Sequence, residues 1–269
     1  MTVYNSSRKH PLTEYAAAAK LWRVWLHMGV QDVKGRFRNS VLGPLWILIN
    51  LSATMAAVGI VFGKLFHQPM EEFLPFLTLG LAIWGFMTAA MTEGGSAFVN
   101  AEGYIKQFSF PKVTYLYRAM VPYIVVFAVG MLVFFVVAIA YGRSFNLGAL
   151  WFFPGFLLFL VINFLHLVIV AHLGARFRDL PHLLSGLIQI GFYVTPVMYT
   201  VTMLKERGLG FVYLYNPLYY LIEIVRYPLL NSESPPEEVW MVAIGYAVVA
   251  AIAAFAVMKR MSHRIVYVL

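Results

Sequence analysis

Residues 119–142 read AMVPYIVVFAVGMLVFFVVAIAYG, with no charged side chain between Arg118 and Arg143. About 20 apolar residues in a helix cover the roughly 30 Å hydrocarbon core of a bilayer. A surface helix of a soluble protein keeps a charged or polar face, and this stretch has none. It is a transmembrane helix by composition, and the rest of the chain repeats the pattern. Over 269 residues the sequence is 61% hydrophobic, 16% aromatic and 12% charged, with mean hydropathy +0.75. Soluble domains carry about 25% charged residues, so an ordinary water-soluble globule and a disordered chain are both excluded. What remains is an all-α polytopic membrane protein.

Five further apolar runs, 41–63, 73–92, 147–175, 183–204 and 239–258, complete an expected set of six spans in a single transmembrane domain over 1–269. The runs are continuous, whereas barrel strands alternate in segments of about ten residues. No basic n-region with a small-residue cleavage site opens the chain, so no removable signal is expected. A seventh stretch, 208–222, has 15 uncharged residues and contains Asn216-Pro217. It is short for a span, and proline breaks a helical ladder. The expectation is a re-entrant or interfacial hairpin, with a loop packed on helix ends as the plain alternative.

Orientation follows from Lys and Arg in the short loops. With six spans, one side holds 15 of them: Arg8, Lys9, Lys20, Arg23, Lys34, Arg36, Arg38, Lys106, Lys112, Arg118, Arg176, Arg178, Lys259, Arg260 and Arg264. The other holds five, namely Lys64, Arg143, Lys205, Arg207 and Arg226. Both termini are therefore expected in the cytoplasm. The formal net charge of +8 is spread through gaps between apolar runs, not gathered on the one basic face that nucleic acid requires.

Residues 15–29 have a helical period. At about 100° per residue, Ala18, Leu21, Trp22, Trp25, Leu26 and Met28 fall on one side and Lys20, Arg23 and His27 on the other. That pattern suits a helix lying in the headgroup plane, or one packed on protein. In the 93–118 loop, 101–108 can form a short helix presenting Tyr104, Ile105 and Phe108, with Glu102 and Lys106 elsewhere on its surface. It is either a handle for a soluble partner or a loop tucked under the bundle.

The chain has no cysteine and no G-x-x-x-x-G-K-[ST] phosphate loop, so it does not bind ATP in that manner by itself. The six runs contain no Asp, Glu, Lys or Arg between their bounds, which disfavours a proton-coupled pump. No catalytic or metal-ligand motif stands out. In the fourth run Phe152, Phe156, Phe159, Asn163 and His166 recur at steps of 4, 3, 4 and 3, one helical stripe. Aromatic faces with interspersed hydrogen-bonding groups suit a sugar passing through a channel. They equally suit lipid contact with Asn163 and His166 bonding to neighbouring helices.

Four strings add up in order and spacing. Arg36-Phe37-Arg38-Asn39-Ser40-Val41-Leu42-Gly43-Pro44-Leu45-Trp46 enters the first span, and Ile105-Lys106-Gln107-Phe108-Ser109-Phe110-Pro111-Lys112 lies in the loop. Thr195-Pro196-Val197-Met198-Tyr199 closes the fifth span, and Asn216-Pro217-Leu218 follows. Over nearly its whole length the chain resembles the ABC-2 type permeases that export bacterial cell-surface polysaccharides such as O-antigen, capsule and teichoic acid. The resemblance implies a homodimer in the inner membrane, joined to two copies of a separate ATPase that binds the ATP and magnesium. It makes 15–29, with Lys20, Trp22, Arg23 and Trp25, an interface helix. It makes 101–108, with Glu102, Tyr104, Ile105, Lys106 and Phe108, the coupling helix that docks on the ATPase. It makes 208–222, with Asn216, Pro217, Tyr219 and Tyr220, an external gate. The implied substrate is a lipid-linked polysaccharide. The alternatives are an ABC-2 exporter of a drug or simple lipid, a passive channel, and an integral-membrane enzyme acting on lipid-linked sugars. The enzyme would have His67, Glu71, Glu72 and Glu223 as its external candidates.

Orientation can be tested directly because the chain is Cys-free. Single cysteines at Ser7, Ser144, Ser232 and Ser262 should react with an impermeant maleimide from outside at 144 and 232 only. Labelling at 262 from outside would reverse the assignment.

Overall fold

The computed structural model describes residues 11–262 and Ile265. In chain order its helices are α1 (Pro11–Lys20), α2 (Trp22–Arg36), α3 (Leu45–Leu65), α4 (Met70–Met91), α5 (Ala97–Asn100) and α6 (Glu102–Gln107). They continue with α7 (Val113–Ala140), α8 (Phe152–Arg176), α9 (Leu180–Val194), α10 (Val201–Glu206), α11 (Phe211–Leu214), α12 (Pro217–Asn231) and α13 (Glu237–Met261). Among the described residues there is no strand. That is what lipid demands, because a helix satisfies its own backbone donors and acceptors without water.

Among the described residues, five stretches are long and apolar enough to cross a membrane, built on α3, α4, α7, α8 and α13. Helix α4 packs between α3 and α7, α8 pairs with α13, and α12 lies among α4, α8 and α13. The Gly59 and Gly63 pair faces α4, at Leu74 and Met70, so this GxxxG stripe serves a seam inside the chain. Apart from Met55, Gly59 and Gly63, the residues of α3 are half-buried or exposed.

The expected fifth span, 183–204, is not one helix. Helix α9 is 15 residues long, about 22 Å at the usual rise, so by itself it is shorter than the roughly 30 Å hydrocarbon core. It stops because Pro196 offers no N–H and drives the preceding residue out of the helical region. Thr195 is accordingly extended, at φ −92° and ψ 135°. The chain then turns, and the Thr200 hydroxyl caps α10 by accepting from the Met203 N–H.

The 208–222 segment also differs from expectation. Its second half is the start of α12, which continues to Asn231 and so carries Glu223 and Arg226 into the bundle. Asn216 starts this helix by accepting from the Leu218 N–H, with Pro217 in the first turn, where its missing donor is not needed. Its amide also donates to the Thr195 hydroxyl at 2.8 Å, tying the start of α12 to the end of α9. The far end of α12 reaches Gly148, where a Cβ would collide with the Ser232 carbonyl.

The helical segment expected at 15–29 is broken at Leu21 into α1 and α2 and runs on to Arg36. Tyr15 donates to the Met258 sulfur at 3.3 Å, and Lys112 donates to the Ser262 carbonyl. These contacts place α1, the start of α7 and the end of α13 on one face of the molecule.

Candidate functional site

On that face, Arg118 joins three elements. It sits in the second turn of α7 and donates Nε and Nη2 to the two oxygens of Asp32 on α2, at 2.6 and 2.7 Å. Such a bidentate pair fixes geometry as well as charge. Its guanidinium also lies 4.6 Å from the centre of the Tyr104 ring on α6, within cation–π range. Gly29 makes the close approach possible: a Cβ there would lie 2.9 Å from the Arg118 carbonyl and closer still to Val121. Nearby, Arg36 and Glu93 form a more exposed ion pair at 2.7 Å.

Helix α6 covers most of the expected 101–108. Tyr104 and Phe108 are 41% and 42% exposed, and Tyr104, Phe108 and Phe110 stack in succession at 6.4 and 5.5 Å. Ile105 points the other way and packs partly buried against the core. Lys106 reaches back one turn to Glu102, and that hydrogen bond holds the Glu102 carboxyl below the usual carboxylate range. An aromatic ladder therefore projects from a helix whose opposite side anchors it.

On α1 and α2, Ala18, Gly29 and Val33 are buried and Trp22 is 51% exposed. Trp25 packs on Tyr117 at 5.5 Å. The face turned to protein is therefore narrower than the apolar side expected from periodicity. Lys20 and Arg23 are exposed, with Arg23 over the Trp22 ring.

The second charged centre was missed. Arg226 on α12 is 1% exposed. It donates to Glu223 one turn back through Nε at 3.0 Å, and to the Pro196 carbonyl at 3.1 Å. The ring of Phe76 on α4 lies 4.0 Å from its guanidinium carbon. Gly80 of α4 leaves room beside it, since a Cβ there would be 2.8 Å from the Val197 carbonyl. The signal was in the sequence: Glu223 and Arg226 stand three apart in an otherwise apolar helical run. Of the expected gate residues, Tyr220 is buried and donates to the Leu214 carbonyl. Tyr219 packs between the rings of Tyr213 and Tyr220.

The stripe on α8 is enclosed within the chain from Phe159 to His166, while Phe152 and Phe156 are half-buried. Phe159 and Asn163 are fully buried and His166 is 6% exposed. Phe156 stacks on Phe127 and Phe152 at 4.9 and 5.2 Å. The Asn163 amide donates to the Phe159 carbonyl, and His166 shares a hydrogen bond with the Tyr246 hydroxyl of α13. In this conformation the stripe is the α4–α7–α8–α13 seam. Glu223, an external enzyme candidate, is taken up by Arg226, while His67, Glu71 and Glu72 lie exposed at the α3–α4 turn. No cluster of metal-binding side chains occurs among the described residues.

A family model described as ABC-2 type transporter matches residues 23–230. The chain is 24% identical over 230 residues to the O-antigen export system permease protein RfbA of Myxococcus xanthus, covering 85% of this chain and 88% of that one. Two Klebsiella pneumoniae proteins of the same name are 27% and 29% identical over 209 residues, each covered to 78% and covering 75% of this chain.

Removing one partner of a buried ion pair costs about 3–5 kcal/mol, whereas replacing both with apolar groups is often nearly neutral. Glu223→Gln should therefore lower the melting temperature of the solubilised protein by several degrees. The Glu223→Leu/Arg226→Met double variant should recover most of that loss. Equal melting of single and double variants would show that the pair does not hold α12.

Proposed function

Because the chain belongs to the ABC-2 type transporter family, we propose that it is the membrane subunit of an ATP-driven exporter that moves a lipid-linked cell-surface polysaccharide such as O-antigen. The observation carrying this reading is the match to three O-antigen export permeases, each spanning three-quarters or more of both chains. The chain works as a homodimer in the bacterial inner membrane, with both termini cytoplasmic and two ATPase subunits below it. Those subunits bind ATP and magnesium.

The face carrying α1, α2 and α6 is the cytoplasmic one in this reading. Helices α1 and α2 form the interface helix at headgroup level, with Trp22 turned towards lipid. Helix α6 docks in the ATPase through Tyr104 and Phe108. Motion imposed on it passes through the Tyr104–Arg118 contact to α7, and through Asp32 to α2. Helices α9 and α12 flank a re-entrant gate at the outer end, hinged at Thr195-Pro196 and Asn216-Pro217. ATP binding and hydrolysis then shift the dimer between closed and open populations.

The exposed ladder is the testable part. Leaving a large apolar side chain in water forfeits roughly 1.5–3 kcal/mol relative to full burial. Tyr104→Ser/Phe108→Ser should weaken ATPase binding by at least about tenfold, the equivalent of 1.4 kcal/mol, and should abolish export at a normal membrane level. The measurement is co-purification of the ATPase with the permease. Ile105→Ala, which faces inward, should retain the ATPase. Undiminished binding and export in the double variant would contradict the docking assignment.

A further inference from the structure

A cavity of about 380 Å³ opens between α2, the 93–100 segment and α7. Small-ligand pockets measure about 300–1,000 Å³. Its walls include Asp32, Arg36, Glu93, Asn100, Tyr115 and Arg118. Two polar atoms among them are fully enclosed without a hydrogen-bond partner among the described residues: the Tyr115 hydroxyl and Nη1 of Arg118. Tyr115 is 1% exposed and Arg118 9%. Buried donors in native proteins nearly always have partners, so two orphans lining one cavity point to an absent acceptor.

Charge identifies the class of that acceptor. Both guanidinium groups already hold a carboxylate, Arg118 with Asp32 and Arg36 with Glu93. The lining therefore has no surplus positive charge with which to attract a phosphate. What it offers is unmet donors from Arg118 and Tyr115, an amide at Asn100, and carboxylate lone pairs that can accept from hydroxyls. A neutral ligand with several hydroxyls uses all of these at once.

We propose that this cavity is a carbohydrate subsite that takes a neutral sugar ring at the cytoplasmic face. It rests on the glycan-export reading, which supplies the sugar. Because its walls come from α2, α7 and the segment leading into α6, an occupied site would brace the interface helix against the coupling element.

The test uses the complete permease–ATPase complex in nanodiscs and saturation-transfer NMR. The probes are the methyl glycosides of glucose, galactose, mannose and N-acetylglucosamine, with inorganic phosphate as competitor. Tyr115→Phe removes only a hydroxyl that has no hydrogen-bond partner among the described residues, so its melting should be unchanged. At least one glycoside should show saturation transfer, and Tyr115→Phe should reduce it by about fivefold, the effect of one hydrogen bond. No signal from any glycoside, an undiminished signal in Tyr115→Phe, or loss of signal to phosphate would each overturn the proposal. Failure of the ATPase to co-purify would sink the export reading and leave glycoside binding standing. A missing glycoside signal from an intact, ATP-hydrolysing complex would sink the subsite alone.

Discussion

Arg226 is a charged side chain enclosed by protein in a chain otherwise built from apolar helices. A guanidinium withdrawn from water is stable only when its charge and donors are met on the spot. Glu223 supplies the opposite charge, Pro196 a carbonyl, and Phe76 the face of a ring, with Nη1 left without a hydrogen-bond partner among the described residues. Each requirement fixes a piece of the fold. The carbonyl is available because α9 breaks at Thr195-Pro196. The ring is in place because α12 lies against α4, and Gly80 removes the side chain that would have kept the Pro196-Val197 turn away. The short α9, the turn after it and the inward course of α12 thus meet around one cation.

The opposite face is organised by a second arginine in a different way. Arg118 is shared between elements that are distant in sequence, Asp32 on α2 and Tyr104 on α6. A contact of this kind transmits displacement because neither partner can shift without breaking a directional interaction. The exposed side of α6 is aromatic and is itself tied to α7 where Tyr104 meets Arg118, while Ile105 anchors the inner side against the core. Taken with membership of the ABC-2 type transporter family, this arrangement suits a lever between a soluble motor and membrane helices.

The long spans were legible because 20 or more uncharged apolar residues admit a single reading. The 101–108 helix was legible as an amphipathic piece within the 93–118 loop. The break inside the fifth apolar run was not legible because hydropathy alone runs smoothly through Thr195-Pro196, where the helix cannot. Arg226 was counted with the external loops, since its partners Pro196 and Phe76 are separated from it by 30 and 150 residues. Long-range packing of that kind leaves no periodic trace. The α8 stripe shows the opposite limit. Periodicity placed Phe152, Phe156, Phe159, Asn163 and His166 on one face, but whether that face meets a channel or a neighbouring helix depends on what stands opposite. The structure puts Phe127, Phe86 and Tyr246 there. Ile105 and Phe108 were grouped by sequence, and the structure separates them into an anchor and an exposed surface.

In the proposed function, export is driven by a separate ATPase acting through this chain. The most direct measurement reconstitutes the permease with its ATPase in inverted vesicles. Transfer of a lipid-linked polysaccharide from the outer face into the lumen is then followed by its protection from an added glycosidase. Protection should build up only when both subunits and hydrolysable ATP are present, and should vanish with a non-hydrolysable analogue. Protection without the ATPase, or none from a complex that hydrolyses ATP, would contradict it.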